Sequence, residues 1–201
     1  MCSTRGAPRP VVGEDPRSAA ASGDGRCHDA LMRVRRLAEA DWRQLAAIRL
    51  RSLTEDHPVL GSVEREQGFK ENHWRMRLRG SQWFVATHRR RTIGLVSVLQ
   101  EPGTPPDERH VLGFWVAPEA RGSGAGRALL DAAAEQATEE GAARLTSWLL
   151  DGDDVAQADL RAAGFRPSGI RMPVPRDRSL TEERWTRPLA LGPDVEGGVD
   201  D

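Results

Sequence analysis

The sequence predicts one domain of the α/β class, with a central, twisted, mixed and mostly antiparallel sheet of about seven strands flanked by four helices. Its length of 201 residues fits a single domain, since domains average roughly 100 to 200 residues. Strand-like and helix-like hydrophobic patterns follow one another in the order βααβββαβαββ, which is typical of a mixed α/β fold with a largely antiparallel N-terminal half. We expect the domain to cover 31–190.

Both ends of the chain lack the pattern of a folded segment. Residues 1–30 are rich in glycine and proline and show neither a helical nor a strand period, which predicts a disordered leader. Residues 191–201 are glycine-rich and acidic, which predicts a flexible tail.

The first three predicted elements are a strand and two helices, at about 33–37, 41–53 and 63–78. Trp42, Leu45 and Ile48 recur at helical spacing in the first helix. Pro58 then interrupts the chain, and the second helix is expected to stop at Gly80.

Three strands are predicted next, at about 83–88, 92–100 and 110–116. The first two are rich in β-branched and aromatic residues and are separated by a short run of arginines, which favours an antiparallel hairpin. Pro118 is expected to end the third strand, because proline has no amide proton to give to a sheet.

The last elements are predicted at about 124–140 (helix), 144–150 (strand), 153–163 (helix), 169–174 and 183–189 (strands). Leu129, Ala133 and Ala137 share one face of the longer helix, and Gly141 is placed to end it. Asp153 or Asp154 can cap the shorter helix.

Composition excludes several classes of protein. The net charge of −1 gives no field that would draw the chain to nucleic acid or an anionic membrane. There is no apolar run long enough to span a bilayer and no signal-peptide core, so a cytoplasmic location is predicted. Cys2 and Cys27 lie far from any metal-binding pattern, so neither a disulfide framework nor a metal site is expected.

One glycine-rich segment, 116–127 with the sequence VAPEARGSGAGR, joins a predicted strand to a predicted helix. Alternate glycines let the backbone approach a ligand, and the unpaired amide protons and positive dipole end of a helix start favour a diphosphate. Arg121 and Arg127 add cationic side chains on either side. No Gly-Lys-Ser/Thr follows, which excludes a Walker loop, and Arg127 stands where the dinucleotide fingerprint has its third glycine.

The pattern V-x-P-x-x-R-G-x-G-x-G, after a fourth strand and before a long helix, resembles motif A of the GNAT superfamily, whose members transfer acyl groups from acyl-coenzyme A to amines. The resemblance extends over about 33–189 and includes A-x-x-x-L-x-x-x-G-F, seen as Ala156, Leu160, Gly164 and Phe165. Arg49, Leu53, Pro58 and Trp74 fit the loose pattern of bacterial small-molecule members.

The resemblance implies an N-acetyltransferase that moves an acetyl group from acetyl-CoA to a primary amine by direct attack. It places the pantetheine arm on the backbone near Trp115 and Val116, in a slot between splayed fourth and fifth strands. It places the diphosphate on the following segment, which comprises Arg121, Gly122, Ser123, Gly124, Ala125, Gly126 and Arg127. Homodimers are common in the family.

The chain also departs from the family pattern. Leu160 stands where many members have a tyrosine that protonates the leaving thiolate, and the chain contains no tyrosine. Asp153 replaces a common asparagine. Trp148 stands where some peptide α-amine acetyltransferases have a glutamate base, which disfavours that substrate class.

An alkylammonium with a pKa near ~10 is only about one part in a thousand neutral at pH 7, so a proton acceptor is needed. Glu108 and His110 are the candidate general bases, because strand alternation puts both on one face of the fourth strand. Three alternatives stay open at this point: a non-catalytic acyl-CoA binding or sensing domain, a protein or peptide amine acetyltransferase, and a nucleotide-binding domain of another kind.

Overall fold

The computed structural model describes residues 32–55, 61–175 and 177–190. It confirms a single α/β domain built on one seven-stranded mixed sheet, with strand order β1-β2-β3-β4-β5-β7-β6. The strands are β1 (Met32–Arg36), β2 (Gln82–His88), β3 (Arg91–Leu99), β4 (Glu108–Val116), β5 (Arg144–Leu150), β6 (Arg166–Val174) and β7 (Asp177–Pro188). Neighbours in the sheet are antiparallel, except that β4 and β5 are parallel. The predicted leader and tail lie outside the described residues.

The helices are α1 (Trp42–Glu55), α2 (Val63–Gln67), α3 (Glu71–Gly80), α4 (Ala125–Glu139) and α5 (Asp154–Ala162). The α4 face predicted from Leu129, Ala133 and Ala137 is buried, as expected. This helix packs on one face of the sheet, where Leu129 lies against Gly94 of β3. The first three helices pack together and against β2 and β3.

The prediction of one continuous second helix was wrong, because the chain forms α2 and α3 with a break between them. The N–H of Gly68 bonds to the carbonyls of Arg65 and Glu66 and so ends α2. Lys70 is extended, and its N–H donates to His73 Nδ1 at 3.1 Å to start α3. Local hydrogen bonds therefore divide a segment whose apolar spacing alone indicates one helix.

The last hairpin is longer than predicted. The pairing of β6 with β7 reaches from Arg166 to Asp177, whereas the sequence pattern suggested a strand starting only at Gly169 and another only at Glu183. Every residue of β6 except Val174 is exposed, so the strand has no apolar alternation that sequence reasoning could detect.

None of the helices within the described ranges is both long and apolar enough to cross a membrane.

Candidate active site

The two parallel strands at the centre of the sheet separate part-way along their length. Pairing of β4 with β5 runs from Glu108 to Val111 and then stops. Gly113, with φ +58°, forms a bulge at which the register of β4 against β3 shifts. The backbone groups of β4 that face β5 beyond this bulge have no strand partner, so a slot opens there into the sheet. This is the splay that the resemblance implied.

The segment that follows β4 presents unsatisfied backbone donors. A short 3-10 turn, Pro118–Ala120, leads into Gly122 (φ +74°) and Gly124 (φ +86°), and α4 begins at the next residue. These left-handed conformations favour glycine. The N–H groups of both glycines lack an acceptor within the described part of the chain, and a Cβ at either position would meet only open space. Together with the first turn of α4, they present the outward-facing donors that the predicted anion cradle requires.

The cationic side chains beside this loop differ in their contacts. Arg121 Nε donates to the carbonyl of Val116 at 3.4 Å, which holds this guanidinium over the loop. Arg127 donates instead to Asp131 at 2.5 Å and to the carbonyl of Ala162 at 2.6 Å. The guanidinium of Arg127 is thus held against α4 and α5. The backbone N–H of Arg127 belongs to the first turn of α4, where N–H groups have no acceptor within the helix.

Asp159 of α5 lies directly over Gly126, a contact that sequence reasoning missed. A Cβ on Gly126 would come within 2.6 Å of the Asp159 carboxyl carbon, so the present position of this carboxyl group depends on the glycine. Burial raises the pKa of Asp159, and the positive charge of Arg121 opposes that rise. The cradle therefore has a carboxyl group at its margin as well as a cation.

A cavity of about 590 Å³ lies where β4 and β5 separate. Residues of α1 to α3 line one part of it, and residues of β2 to β7 and of α5 line most of the rest. Trp115, His110, Ser147 and Leu160 all reach it, whereas Glu108 does not. Two buried polar groups of its wall, the Ser97 hydroxyl and the Trp115 indole N–H, have no hydrogen-bond partner among the described residues.

The two predicted bases are joined through a residue of β5. His110 Nδ1 lies 2.9 Å from Thr146 Oγ1, and Thr146 Oγ1 donates to Glu108 Oε1 at 3.3 Å. The donor in the His110–Thr146 contact depends on the imidazole tautomer. In the tautomer that leaves the Thr146 hydroxyl proton for Glu108, Nδ1 carries a proton and Nε2 keeps its lone pair. Glu108 is itself paired with Arg184 of β7.

His110 is only 1% exposed. Burial, followed by the positive charge of Arg184, lowers the pKa of His110 to about 4. The imidazole is therefore neutral at physiological pH, as a hydrogen-bond or proton acceptor must be.

Opposite this face, α1, α2 and α3 meet around one buried carboxylate. Glu66 accepts from Arg49 at 3.3 and 3.4 Å, and from Arg77 at 3.1 Å with both of its oxygens. Burial lowers the pKa of Arg49 despite the nearby Glu66. This cluster fixes the helical wall of the cavity and leaves it with an excess of positive charge.

Glu182 of β7 is a second carboxylate that sequence reasoning missed. It pairs with Leu150 of β5, is 7% exposed and lines the cavity. The sequence pattern started this strand at Glu183, which left Glu182 outside any predicted element. Glu182 and the buried Trp185 lie on opposite faces of β7, and the intermediate exposure of the residues between them shows no two-residue alternation that the sequence pattern could detect.

The family model described as "Acetyltransferase (GNAT) family" matches residues 42–165. The chain belongs to the GNAT family of acetyltransferases. It is an acyltransferase, and the split between β4 and β5 with the loop before α4 forms its candidate active site. Among the curated proteins, none matches this GNAT chain.

Solved GNAT structures share the fold. An acetyltransferase of the family from Streptococcus pneumoniae is 15% identical, with a TM-score of 0.67 over 79% of this chain and 99% of that one. A phosphinothricin acetyltransferase from Sinorhizobium meliloti, in complex with AcCoA, is 24% identical, with a TM-score of 0.63 over 81% and 90%. A ribosomal-protein-alanine N-acetyltransferase from Brucella melitensis is 25% identical, with a TM-score of 0.60 over 78% and 99%.

Leu160 is the residue that the resemblance aligns with the tyrosine of many GNAT members. Leu160 is fully enclosed and reaches the cavity, but it has no proton to give. The hydroxyl of Ser147, which also lines the cavity, is a candidate source of a proton for the thiolate, and it donates to the carbonyl of Val111 at 3.2 Å.

Proposed function

We propose that this protein transfers an acetyl group from acetyl-CoA to a primary amine of a small molecule by direct attack. The observation that carries the proposal is the continuity of three features: the loop with free backbone donors, the slot between β4 and β5, and the cavity bearing His110. With the diphosphate on the loop and the acyl group in the slot, the cavity is left for the acceptor.

The donor site consists of the residues that sequence reasoning predicts. Trp115 and Val116 offer backbone groups to the pantetheine arm at the edge of the slot. The segment from Arg121 to Arg127 offers the diphosphate N–H groups and the Arg121 guanidinium. The Sinorhizobium meliloti structure of the same fold contains AcCoA, which supports this donor.

The cavity has the size of a small-molecule pocket. Its 590 Å³, which an acceptor would share with the acyl end of the donor at Trp115 and Leu160, falls within the range of roughly 300 to 1,000 Å³ that is typical for such ligands.

In this proposal the two predicted bases have different roles. His110 Nε2 accepts a proton that the nitrogen releases as the new C–N bond forms, because the nitrogen of the adduct is far more acidic than the starting ammonium. Glu108 is a positioning residue, since Thr146 transmits its orientation to the imidazole. The thiolate, whose parent thiol has a pKa near ~8.5, leaves without a tyrosine and ends as the free thiol.

A panel of amines, aminoglycosides, polyamines, amino acids and peptides, followed by detection of released thiol, tests the proposal. We expect acetyl-CoA to release thiol only when an accepted amine is present, and His110→Gln to lower turnover by roughly 10² to 10⁴. Binding of acetyl-CoA without any transfer would instead indicate the sensing domain.

A protein or peptide α-amine is the second candidate acceptor. The Brucella melitensis relative with 25% identity, a ribosomal-protein-alanine N-acetyltransferase, favours it. Peptides in the same panel separate the two acceptor classes. A cytoplasmic location and a homodimer remain predictions.

A further inference from the structure

The cavity wall contains a carboxylate that no other side chain neutralises. Glu182 is more than nine-tenths buried, yet it has no hydrogen bond or ion pair with another residue of the described chain. By contrast, the other two buried carboxylates of this region, Glu66 and Glu108, are each paired with arginine. The Glu182 oxygens are not among the fully enclosed polar atoms without a partner in the described ranges, so the carboxylate opens onto the cavity, where a ligand can supply the opposite charge.

The position of Glu182 relative to the slot is defined by the sheet. Its pairing partner, Leu150, lies three residues beyond Ser147, the last residue of β5 that pairs with β4. Glu182 therefore lies beside the separated part of the two strands, on the same face of β7 as Arg184, which reaches Glu108 of β4.

We propose that Glu182 binds the ammonium group of the acceptor and takes the proton that this group must lose before it attacks the thioester. This inference rests on the proposed function and assigns a catalytic residue to it. The ammonium gives one proton to the Glu182 carboxylate and becomes a neutral amine. Its lone pair forms the C–N bond, the C–S bond breaks, and the second proton leaves the nitrogen and ends on the coenzyme A sulfur. Glu182 then returns its proton to solvent.

Energetics separates this role from that of His110. Burial shifts the two groups in opposite directions: it lowers the pKa of His110 to about 4 and raises the pKa of Glu182 from its ordinary carboxyl value. Of the two, Glu182 also carries the negative charge that attracts an ammonium group, which favours it as the acceptor of the first proton.

The charged surroundings of Glu182 come from several elements that line the same cavity. On its own strand, Arg184 is engaged by Glu108. The helical wall contributes a cluster with one carboxylate and two guanidiniums. The groups that face the cavity from other elements are Glu101, His110, Asp153, Arg49, Arg65, Glu66 and Arg77. None of them forms an ion pair with Glu182, so an incoming ammonium meets an uncompensated carboxylate.

The test compares Glu182→Gln with Glu183→Gln in the full chain, using the amine that the panel identifies. Glu183 lies on the opposite face of β7 and accepts from the N–H of Gly169 at 3.2 Å, so its variant is a matched control outside the site. We expect Glu182→Gln to lower kcat/KM for the amine by roughly 10² to 10⁴ at pH 7. The loss should shrink about tenfold per pH unit as the pH approaches the pKa of the amine. Equal activity of the two variants, or a loss independent of pH, would overturn the assignment.

A second measurement does not depend on turnover. Because the folded-state pKa of Glu182 is raised, the wild-type chain loses stability as the pH rises through that value, whereas glutamine carries no charge. Glu182→Gln should therefore melt at a higher temperature than wild type at pH 8 and at the same temperature near pH 4. Identical melting at pH 8 would overturn the inference. Absence of transfer by wild type, with the melting difference intact, would overturn the proposed function and with it the catalytic role of Glu182, while the raised pKa of Glu182 would stand.

Discussion

The diphosphate cradle can be tested with two glycines that share one backbone conformation but lie at opposite ends of α4. Gly124 (φ +86°) precedes the helix and Gly141 (φ +77°) follows it, and a Cβ at either position meets only open space. Valine at either site therefore imposes similar left-handed strain, about 1 to 2 kcal/mol. For a chain of this size that corresponds to a fall in melting temperature of roughly 2 to 8 °C.

Only one of the two substitutions should affect the coenzyme. Gly124→Val places a branched side chain in the cradle and displaces N–H groups that bond the diphosphate, whereas Gly141 lies about 22 Å away along the 15-residue helix. Loss of two hydrogen bonds to a charged ligand, at about 1.5 kcal/mol each, weakens binding roughly 150-fold.

Titration calorimetry with acetyl-CoA should show near-unit stoichiometry for wild type and Gly141→Val, and a loss of at least about 100-fold for Gly124→Val. Equal affinity of the two variants, with equal melting temperatures, would refute the cradle.

Three further predictions follow from the described contacts. Asp159→Asn removes a carboxylate beside the diphosphate and should tighten acetyl-CoA binding by roughly 3- to 30-fold. The gain should be larger at pH 8 than at pH 5, because the raised pKa of Asp159 leaves more of this carboxyl group uncharged at low pH. Calorimetry at both pH values checks this, and weaker binding by the variant would contradict it. Glu66→Gln leaves the buried guanidinium of Arg49 and the partly exposed guanidinium of Arg77 without their shared carboxylate. It should lower the free energy of unfolding by about 3 kcal/mol in chemical denaturation, and an effect below ~1 kcal/mol would count against the cluster. Leu160→Tyr adds a proton donor at the cavity and Leu160→Phe does not; wild-type turnover should already be measurable, and activity that appears only in the tyrosine variant would establish the sensing domain.

The sequence predicted those parts of the candidate site whose conformation depends on neighbouring residues. The loop before α4 combines glycines at turn positions with the start of a strongly amphipathic helix, so its conformation follows from nearby residues alone. The alternation that placed Glu108 and His110 on one face of β4 is likewise local, and the link through Thr146 confirms the shared face.

Features that depend on contacts between distant segments could not be predicted. Asp159 lies over Gly126 only because α5 packs on α4. Glu182 faces the cavity because β7 inserts between β5 and β6, a strand order that no local pattern contains. The division of α2 from α3 depends on hydrogen bonds at Gly68 and Lys70 that override a continuous apolar spacing.

The central claim is transfer of the acetyl group to nitrogen at the split between β4 and β5. The most direct test is mass spectrometry of the accepted amine after reaction with acetyl-CoA carrying isotope-labelled acetyl carbon, with wild type and Gly124→Val compared at equal protein concentration. The account predicts a labelled N-acetyl product in amounts equal to the thiol released by wild type, and almost none from Gly124→Val. Thiol release accompanied by free labelled acetate, with no N-acetylated amine, would contradict it.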